Sequence, residues 1–293
     1  MKQISILGCG WLGLPLAKSL LEKDFSIKGS TTSLEKISVL KNSGIQAFQI
    51  EIGETEIKGE INSFLENSEI LIIDIPPKLR TDSSTPLGKT FVQKIQNLIP
   101  FLEQSTVEKV IFISSTAVYA DSPSPEASGA LGVTESIKPQ PNTESGKQLL
   151  EAEQLLQNNK NFQTTVLRFG GLIGENRHPI HFLAGRKNIE NPEAPINLIH
   201  QTDCIGIIEE ILRYTQTREL SSNWRSNDNL VWGETFNAVA PFHPTRKEYY
   251  TQKARSLNLP LPEFEEGKIS IGKTILSDKV ATVLNYKFQD TTL

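Results

Sequence analysis

Cysteine is scarce in this chain: Cys9 and Cys204 are the only two in 293 residues. That excludes a disulfide framework and a cysteine zinc site, and it fits a reducing compartment. No apolar run approaches the ~18 residues that a membrane-spanning helix needs. The stretch at the N-terminus is strand-sized, carries Pro15 and shows no small-residue cleavage site, so it does not read as a signal peptide. Excess charge is missing too: a net charge of −4 gives no reason to expect nucleic acid or an anionic membrane as partner. His178, His181 and His200 lack ligand spacing to a carboxylate pair, so no metal site is expected. There is no internal repeat and no low-complexity tract. What remains is an ordinary globular composition, 22% charged and 38% hydrophobic, long enough for a large core. A soluble, cytoplasmic protein is expected.

The first thirteen residues carry the strongest signal. The apolar, β-branched run Ile4-Ser5-Ile6-Leu7 leads into Gly8-Cys9-Gly10-Trp11-Leu12-Gly13, and Leu12 to Leu21 reads as helix. Strand, glycine turn and helix in that order form the dinucleotide-binding fingerprint. Gly8 permits the tight turn, Gly10 lets the backbone approach a pyrophosphate, and Gly13 lets helix and strand lie close. The amides of this turn, Trp11 and Leu12 included, would hold the phosphates at the positive end of the helix dipole.

A second strand, Phe25 to Gly29, ends at Ser30-Thr31-Thr32-Ser33. An NAD site usually has an acid here to accept from the ribose hydroxyls. This chain has hydroxyls and no carboxylate; Ser30, Thr31 and Thr32 can donate to a 2′-phosphate, which favours NADP with NAD possible. No arginine follows to clamp that phosphate. Ser33 reads as the N-cap of a helix to Asn42. Ala47–Ile52 reads as a strand and Ile57–Leu65 as a helix. Ile70-Leu71-Ile72-Ile73 is a buried parallel strand, and Asp74, Ile75 and Pro76 lie at the edge where ligands bind in such sheets. Asp74 either contacts the ribose or a nearby loop, or has a helix-dipole or backbone partner. Helix Lys89–Gln104 and strand Val110–Ile113 follow, then Ser114-Ser115-Thr116-Ala117-Val118-Tyr119.

From Asp121 to Asn142 the chain is rich in Pro, Ser, Ala and Gly, which reads as a lid or binding loop. An amphipathic helix, Thr143–Asn158, and a buried strand, Thr164–Arg168, bring the chain to Phe169. Arg168 is expected to pair with an acid of the lid or subdomain. The alternation implies an α/β fold, a doubly wound parallel Rossmann sheet over residues 1–170. Residues 171–293 read as a smaller substrate-side subdomain interleaved with the sheet edge, the whole being one compact unit. Its pieces are short strands at Asn197–His200, Phe236–Ala240 and Lys268–Ile271. Helices are expected at Thr202–Thr215 (capped by Thr202), Thr245–Leu257 and Ser277–Leu284, with polar linker over Thr217–Trp232.

Four landmarks recur in order: Gly10-x-x-Gly13, Ser114 to Tyr119, Leu167-Arg168-x-x-x-Leu172-Ile173-Gly174, and Ile199-His200-x-x-Asp203. They resemble the extended short-chain dehydrogenases, the NAD(P)-dependent nucleotide-sugar epimerases and dehydratases, and within them the atypical YeeZ-like branch. The resemblance implies a catalytic Ser or Thr, a Tyr, and a Lys four residues after the Tyr. Ser115 fits the hydroxyl and Lys147 the lysine, but Thr143 stands where the pattern requires Tyr. A threonine hydroxyl has no accessible pKa near neutrality and cannot replace a phenol in proton transfer; it can donate a hydrogen bond or relay through water. Tyr119 is the alternative acid, although the family pattern makes it support beside the hydroxyl. Tyr249-x-x-x-Lys253 repeats the spelling, but it lies far from the Val110 strand and reads as packing on a subdomain helix.

By the same resemblance Ser114, Lys147 and Phe169 line the cofactor, and Thr116, Arg177 and His178 face the substrate; His200 braces a subdomain strand. A small-molecule substrate, possibly a nucleotide sugar, is implied, as is a possible homodimer through the helices near 89–104 and 143–158. Two functions stay open: an epimerase/dehydratase/reductase, or an NAD(P)-binding sensor without hydride chemistry.

Overall fold

The computed structural model describes residues 2–77, 90–122, 132–216 and 231–289. Lys89, residues 123–131 of the long loop and residues 217–230 of the linker lie outside the described residues. The strands are β1 (Gln3–Leu7), β2 (Ser26–Thr31), β3 (Gln46–Gln49), β4 (Glu51–Ile52), β5 (Ile57–Lys58), β6 (Ile70–Ile73), β7 (Lys109–Ser115), β8 (Gln163–Phe169), β9 (Gly171–Ile173), β10 (Leu198–His200) and β11 (Thr235–Ala238). The helices are α1 (Gly13–Leu21), α2 (Glu35–Asn42), α3 (Ile61–Leu65), α4 (Thr90–Glu103), α5 (Glu144–Gln157), α6 (Ile180–Leu183), α7 (Gln201–Gln216), α8 (Arg246–Ser256) and α9 (Asp278–Val283).

Seven strands pair in the order β11-β8-β7-β6-β1-β2-β3, all parallel, as a doubly wound fold requires. Successive side chains of a strand face opposite sides, and β6 shows this directly. Ile70 and Ile72 join the layer of α1, α2, α7 and α9; Leu71 and Ile73 join that of α3, α4 and α5. Both faces are therefore apolar and both are covered, which is why these strands read as continuous hydrophobic runs.

Four expectations are corrected. The Ile57–Leu65 helix begins only at Ile61, because Gly59 has φ +101° and a Cβ there would sit 2.1 Å from the Gln49 carbonyl oxygen. Lys268–Ile271 is not a strand; only single bridges follow, at Gly272 to Ser122 and Ile275 to Val133. The Phe236 strand, β11, is not a subdomain strand: it extends the main sheet beside β8. Ser33 and Thr202 do not cap: α2 begins after Leu34 with no side-chain cap, and Thr202 lies inside α7. A third, smaller cluster is made of the β9–β10 pair, α6 and α8 around Ile173, Ile196, Leu198 and Tyr249.

Arg168 finds its acid in α5, not in lid or subdomain. Its Nη2 donates to Glu153 Oε2 at 2.6 Å, its Nε reaches the same carboxylate, and its Nη1 donates to Tyr119 Oη at 2.6 Å. Ser114 Oγ donates to Glu153 at 2.5 Å, and Tyr119 Oη donates to Asn237 Oδ1 at 3.0 Å. All five side chains are buried. Two charges taken out of water cost more than their attraction returns unless further hydrogen bonds support them, and here Tyr119, Ser114 and Asn237 supply such bonds. It ties β7, β8, β11 and α5 together behind the edge that carries Ser115.

Removing one partner leaves the other charge buried alone. Glu153→Ala is expected to lower the unfolding free energy by about 3–5 kcal/mol, measured by urea denaturation, with m unchanged.

Candidate functional site

The turn after β1 is built from close contacts. Gly8 has φ +107°, and a Cβ on it would sit 2.3 Å from the Asp74 carbonyl oxygen. A Cβ on Gly13 would sit 2.3 Å from the Gly8 carbonyl oxygen, so α1 can begin this close to β1 only at glycine. Gly10 differs: a Cβ there meets nothing within 4 Å. Among the described residues no atom demands a glycine at Gly10, which leaves open space there over the backbone. The Gly8 amide donates to Ser30 Oγ at 3.0 Å, Cys9 to the Ser30 carbonyl and Gly10 to the Gly8 carbonyl. The amides of Trp11 and Leu12 take no hydrogen-bond partner among the described residues. Amides without a partner among the described residues, beside a glycine with space over it at a helix start, fit a diphosphate.

Two of the three hydroxyls expected to meet a 2′-phosphate are turned inward. Ser30 is buried, its Oγ holding Gly8, and Thr31 is buried with its Oγ1 accepting from the Ser33 amide at 3.2 Å. Thr32 alone is exposed. The reason is local: β2 must end against the glycine turn, where the Ser30 hydroxyl meets the Gly8 amide, while the Thr31 hydroxyl meets the Ser33 amide two residues on.

Asp74 has the backbone partner that was one of its two readings. The Gly13 amide donates to its carboxylate, and Arg177 is the cation nearest in effect. Burial outweighs both and pushes the Asp74 carboxyl up to about 7. Ile75 lies half-buried against Gly8, Pro76 is exposed, and Phe169 is a core residue of the α1–α7 layer.

The expected catalytic trio gathers at the end of β7. Ser115 Oγ accepts from the Ala117 amide at 3.2 Å, capping a 3-10 turn, Thr116–Val118, in which Thr116 is buried. A Cβ on Gly146 would come 2.2 Å from the Ala117 carbonyl oxygen, so the first turn of α5 lies directly on this turn. Thr143 and Lys147, both exposed, are thereby brought to the edge that carries Ser115. Thr143 is the N-cap of α5: its Oγ1 accepts from the Gly146 amide at 3.1 Å. Lys147 Nζ lies 3.9 Å from Glu144. Both capping hydroxyls are acceptors in these bonds, so each retains a proton to donate. Tyr119 is not a substitute acid: its hydroxyl is inside the Arg168 network, and burial raises its pKa. Ser114 is likewise committed to Glu153 and not to a cofactor.

Two of the three residues expected at the substrate, Arg177 and His178, part company. Arg177 is exposed, with its guanidinium 5.0 Å from the centre of the Trp11 ring, and so stands over the glycine turn. A Cβ on Gly174 would touch the Trp11 ring at 2.8 Å, and Gln201 Nε2 donates to the Trp11 carbonyl at 2.6 Å. His178 faces inward. Its Nδ1 accepts from the Ile180 amide at 3.1 Å, which places the proton on Nε2, 2.8 Å from Tyr249 Oη. The rings stack at 5.7 Å. Tyr249 thus packs on a subdomain helix, with a histidine for partner.

Sequence reasoning missed Glu153, Gly146 and Gln201; a lone acid on the apolar side of a predicted amphipathic helix was the available signal for the first. His200 bonds only locally to Thr202, while the neighbouring Asp203 is fully buried and accepts from Tyr286 Oη and the Gln289 amide. No helix among the described residues is long and apolar enough to cross a membrane, and no metal-holding cluster occurs among them.

Burial, followed by the charges of Lys253 and His181, lowers the His178 pKa to about 4. In 15N-edited NMR spectra His178 should remain a neutral Nε2–H imidazole at pH 5.5, well below the usual histidine midpoint.

No family model matches this chain. It is 32% identical over 295 residues to Protein YeeZ of Escherichia coli (strain K12), covering 99% of this chain and 96% of that one. Among solved structures it superposes on UDP-glucuronic acid 4-epimerase from Bacillus cereus in complex with UDP-glucuronic acid and NAD. The TM-score is 0.73 at 16% identity, over 98% of this chain and 94% of the other. UDP-N-acetylglucosamine 4-epimerase from Bacillus cereus gives a TM-score of 0.70 at 15% identity, over 99% and 92%.

Proposed function

The chain belongs to the YeeZ family and has the fold of the NAD-dependent nucleotide-sugar epimerases, and on that footing we propose that it binds a nicotinamide dinucleotide across the glycine turn. We further propose that it acts as an epimerase, dehydratase or reductase on a nucleotide sugar or similar carbonyl compound. One observation carries the reading: no described atom lies within 4 Å of where a Cβ on Gly10 would stand, beside Trp11 and Leu12 amides that take no partner among the described residues. When bound, the nicotinamide would supply hydride transfer. Ser115 would donate its remaining proton to the substrate oxygen, and Lys147, on the adjoining turn, would hold a ribose hydroxyl. NADP is preferred because no carboxylate faces a 2′-phosphate at residues 30–33, with Thr32 as the outward donor; NAD serves as the alternative.

A second reading, dinucleotide binding without hydride chemistry, is favoured by Thr143. Its hydroxyl caps α5, and no phenol lies beside Ser115 and Lys147 among the described residues. A capping threonine can relay a proton through water but cannot store one.

Titration with NADPH, followed by quenching of Trp11 fluorescence, tests the common part. Gly10→Ala should weaken binding tenfold or more with Tm unchanged, since the added methyl meets ligand and no atom of the described residues; undiminished binding would refute the site. A panel of nucleotide sugars and carbonyl compounds with NADPH separates the two readings. Turnover in the wild type supports the enzyme. Thr143→Tyr should cost about 1 kcal/mol through the lost cap. If the wild type binds but neither it nor Thr143→Tyr turns over, the sensor reading holds.

A further inference from the structure

A cleft of about 320 Å³ opens between the segment after α6 and the start of α8, and Leu183 of the third apolar cluster forms part of its wall. None of its lining residues belongs to the glycine turn or to the edge that carries Ser115. The charged lining is Arg186, Lys187, Glu190 and Arg246, with Asn188 and Asn191 beside them. Two of these charges are already balanced. Lys187 Nζ lies 3.4 Å from Glu263, and Glu190 acts on Lys268 outside the cleft. The two arginines are not balanced. Neither Arg186 nor Arg246 has an ion-pair or side-chain hydrogen-bond partner among the described residues, and Arg246 Nε is buried without one.

Acids to pair with are plentiful: the chain carries a net charge of −4, and Arg168 and Arg213 both hold glutamates. A guanidinium drawn partly out of water has lost solvation, and without a partner it recovers none of it. Arg246 is kept at its place by the chain. It is the first residue of α8, whose Thr245–Glu248 capping box fixes where the helix starts, and its amide donates to the Ala194 carbonyl at 2.9 Å. The amides of Lys247, Glu248 and Tyr249 are met as well, by the Pro192 carbonyl, the Thr245 hydroxyl and the Thr245 carbonyl. No amide of this first turn is left for a ligand, so whatever binds in the cleft is held by side chains.

Two guanidiniums without counter-charge discriminate among anions. A carboxylate offers a single charge on two oxygens, which one guanidinium fork satisfies. A phosphate monoester near neutrality carries about two negative charges on three oxygens, so it can take both forks together. The volume is at the lower end of the range for small-molecule sites, which leaves room for an organic remainder beside the phosphate. We propose that this cleft binds the phosphate monoester of a small organic molecule, with Arg186 and Arg246 as its two clamps. Asn191 Oδ1 already accepts from the Ile271 amide, so its amide NH2 is the group it offers. Glu190 opposes the phosphate and holds the affinity down. The proposal does not depend on the dinucleotide reading of the glycine turn.

Isothermal titration of the full chain with glucose 6-phosphate, inorganic phosphate, gluconate and glucose tests this. Glucose 6-phosphate should bind, inorganic phosphate should compete with it, and gluconate and glucose should bind at least about tenfold more weakly. Arg186→Gln and Arg246→Gln should each weaken glucose 6-phosphate by about tenfold or more, the loss of a charged hydrogen bond. Glu190→Gln should tighten it, which damage to the fold would not do. Lys58→Gln, which removes an exposed cation of the β4–β5 hairpin, should leave it unchanged. No binding of either phosphate to the wild type at millimolar concentration, gluconate bound as tightly as glucose 6-phosphate, or undiminished binding in both arginine variants overturns the proposal. Binding lost in Gly10→Ala but kept in the arginine variants overturns it too, by placing the phosphate at the glycine turn. Should Arg246→Gln not fold, the exposed Arg186→Gln and Glu190→Gln decide between them.

Discussion

The close approach of α1 to β1 is the constraint on which the remaining structure depends. Gly13 against the Gly8 carbonyl, and Gly8 against the Asp74 carbonyl, bring the helix start, β1 and the end of β6 to within one atom's width. A single methyl at either contact would force them apart. Because the sheet is parallel, all its strands end at the same edge. The glycine turn, Asp74, Ser115 and the first turn of α5 are therefore neighbours there by topology, however far apart they are in sequence.

That edge is held from behind by a polar network rather than by apolar packing alone. Arg168, Glu153, Ser114, Tyr119 and Asn237 join three strands and α5 at a depth where an unmet charge would be costly. The network accounts for two hydroxyls of one motif together. Ser114 and Tyr119 belong to the motif that resembles the short-chain dehydrogenases, yet both have their hydroxyls consumed inside the protein. Ser115, between them, faces the other way because successive residues of a strand alternate sides. Of the Ser-Ser-Thr-Ala-Val-Tyr stretch, it keeps its hydroxyl outside that network, on the Ala117 amide.

Thr143 shows how one position can satisfy the fold and unsettle the chemistry. At the start of α5 a hydroxyl caps the helix, which a tyrosine phenol cannot do from the same place. The chain has an ordinary, well-capped helix in exchange for the acid that family chemistry would use. On the opposite side, the 174–177 turn splits Arg177 from His178: the arginine lies over Trp11, while the histidine turns inward to Tyr249. Adjacent residues of a tight turn point apart, so one loop reading could not hold for both.

The sequence alone determined the architecture and the place of the glycine turn. Apolar runs of strand length alternating with amphipathic helices leave a covered parallel sheet as the economical burial, and glycines at positions 8, 10 and 13 specify the first crossing by what they lack. These are local signals, carried within one strand–turn–helix unit. Sequence was silent on partners across space: that Ser30 would spend its hydroxyl on Gly8, that Arg168 would choose Glu153, that β11 would return to the main sheet, and that Asp74 would land on the first amides of α1. Each depends on distances between segments 15 to 69 residues apart, which no periodicity encodes. Whether a polar group is available to a ligand is decided by what else reaches it, and only the folded chain brings those competitors within hydrogen-bonding range.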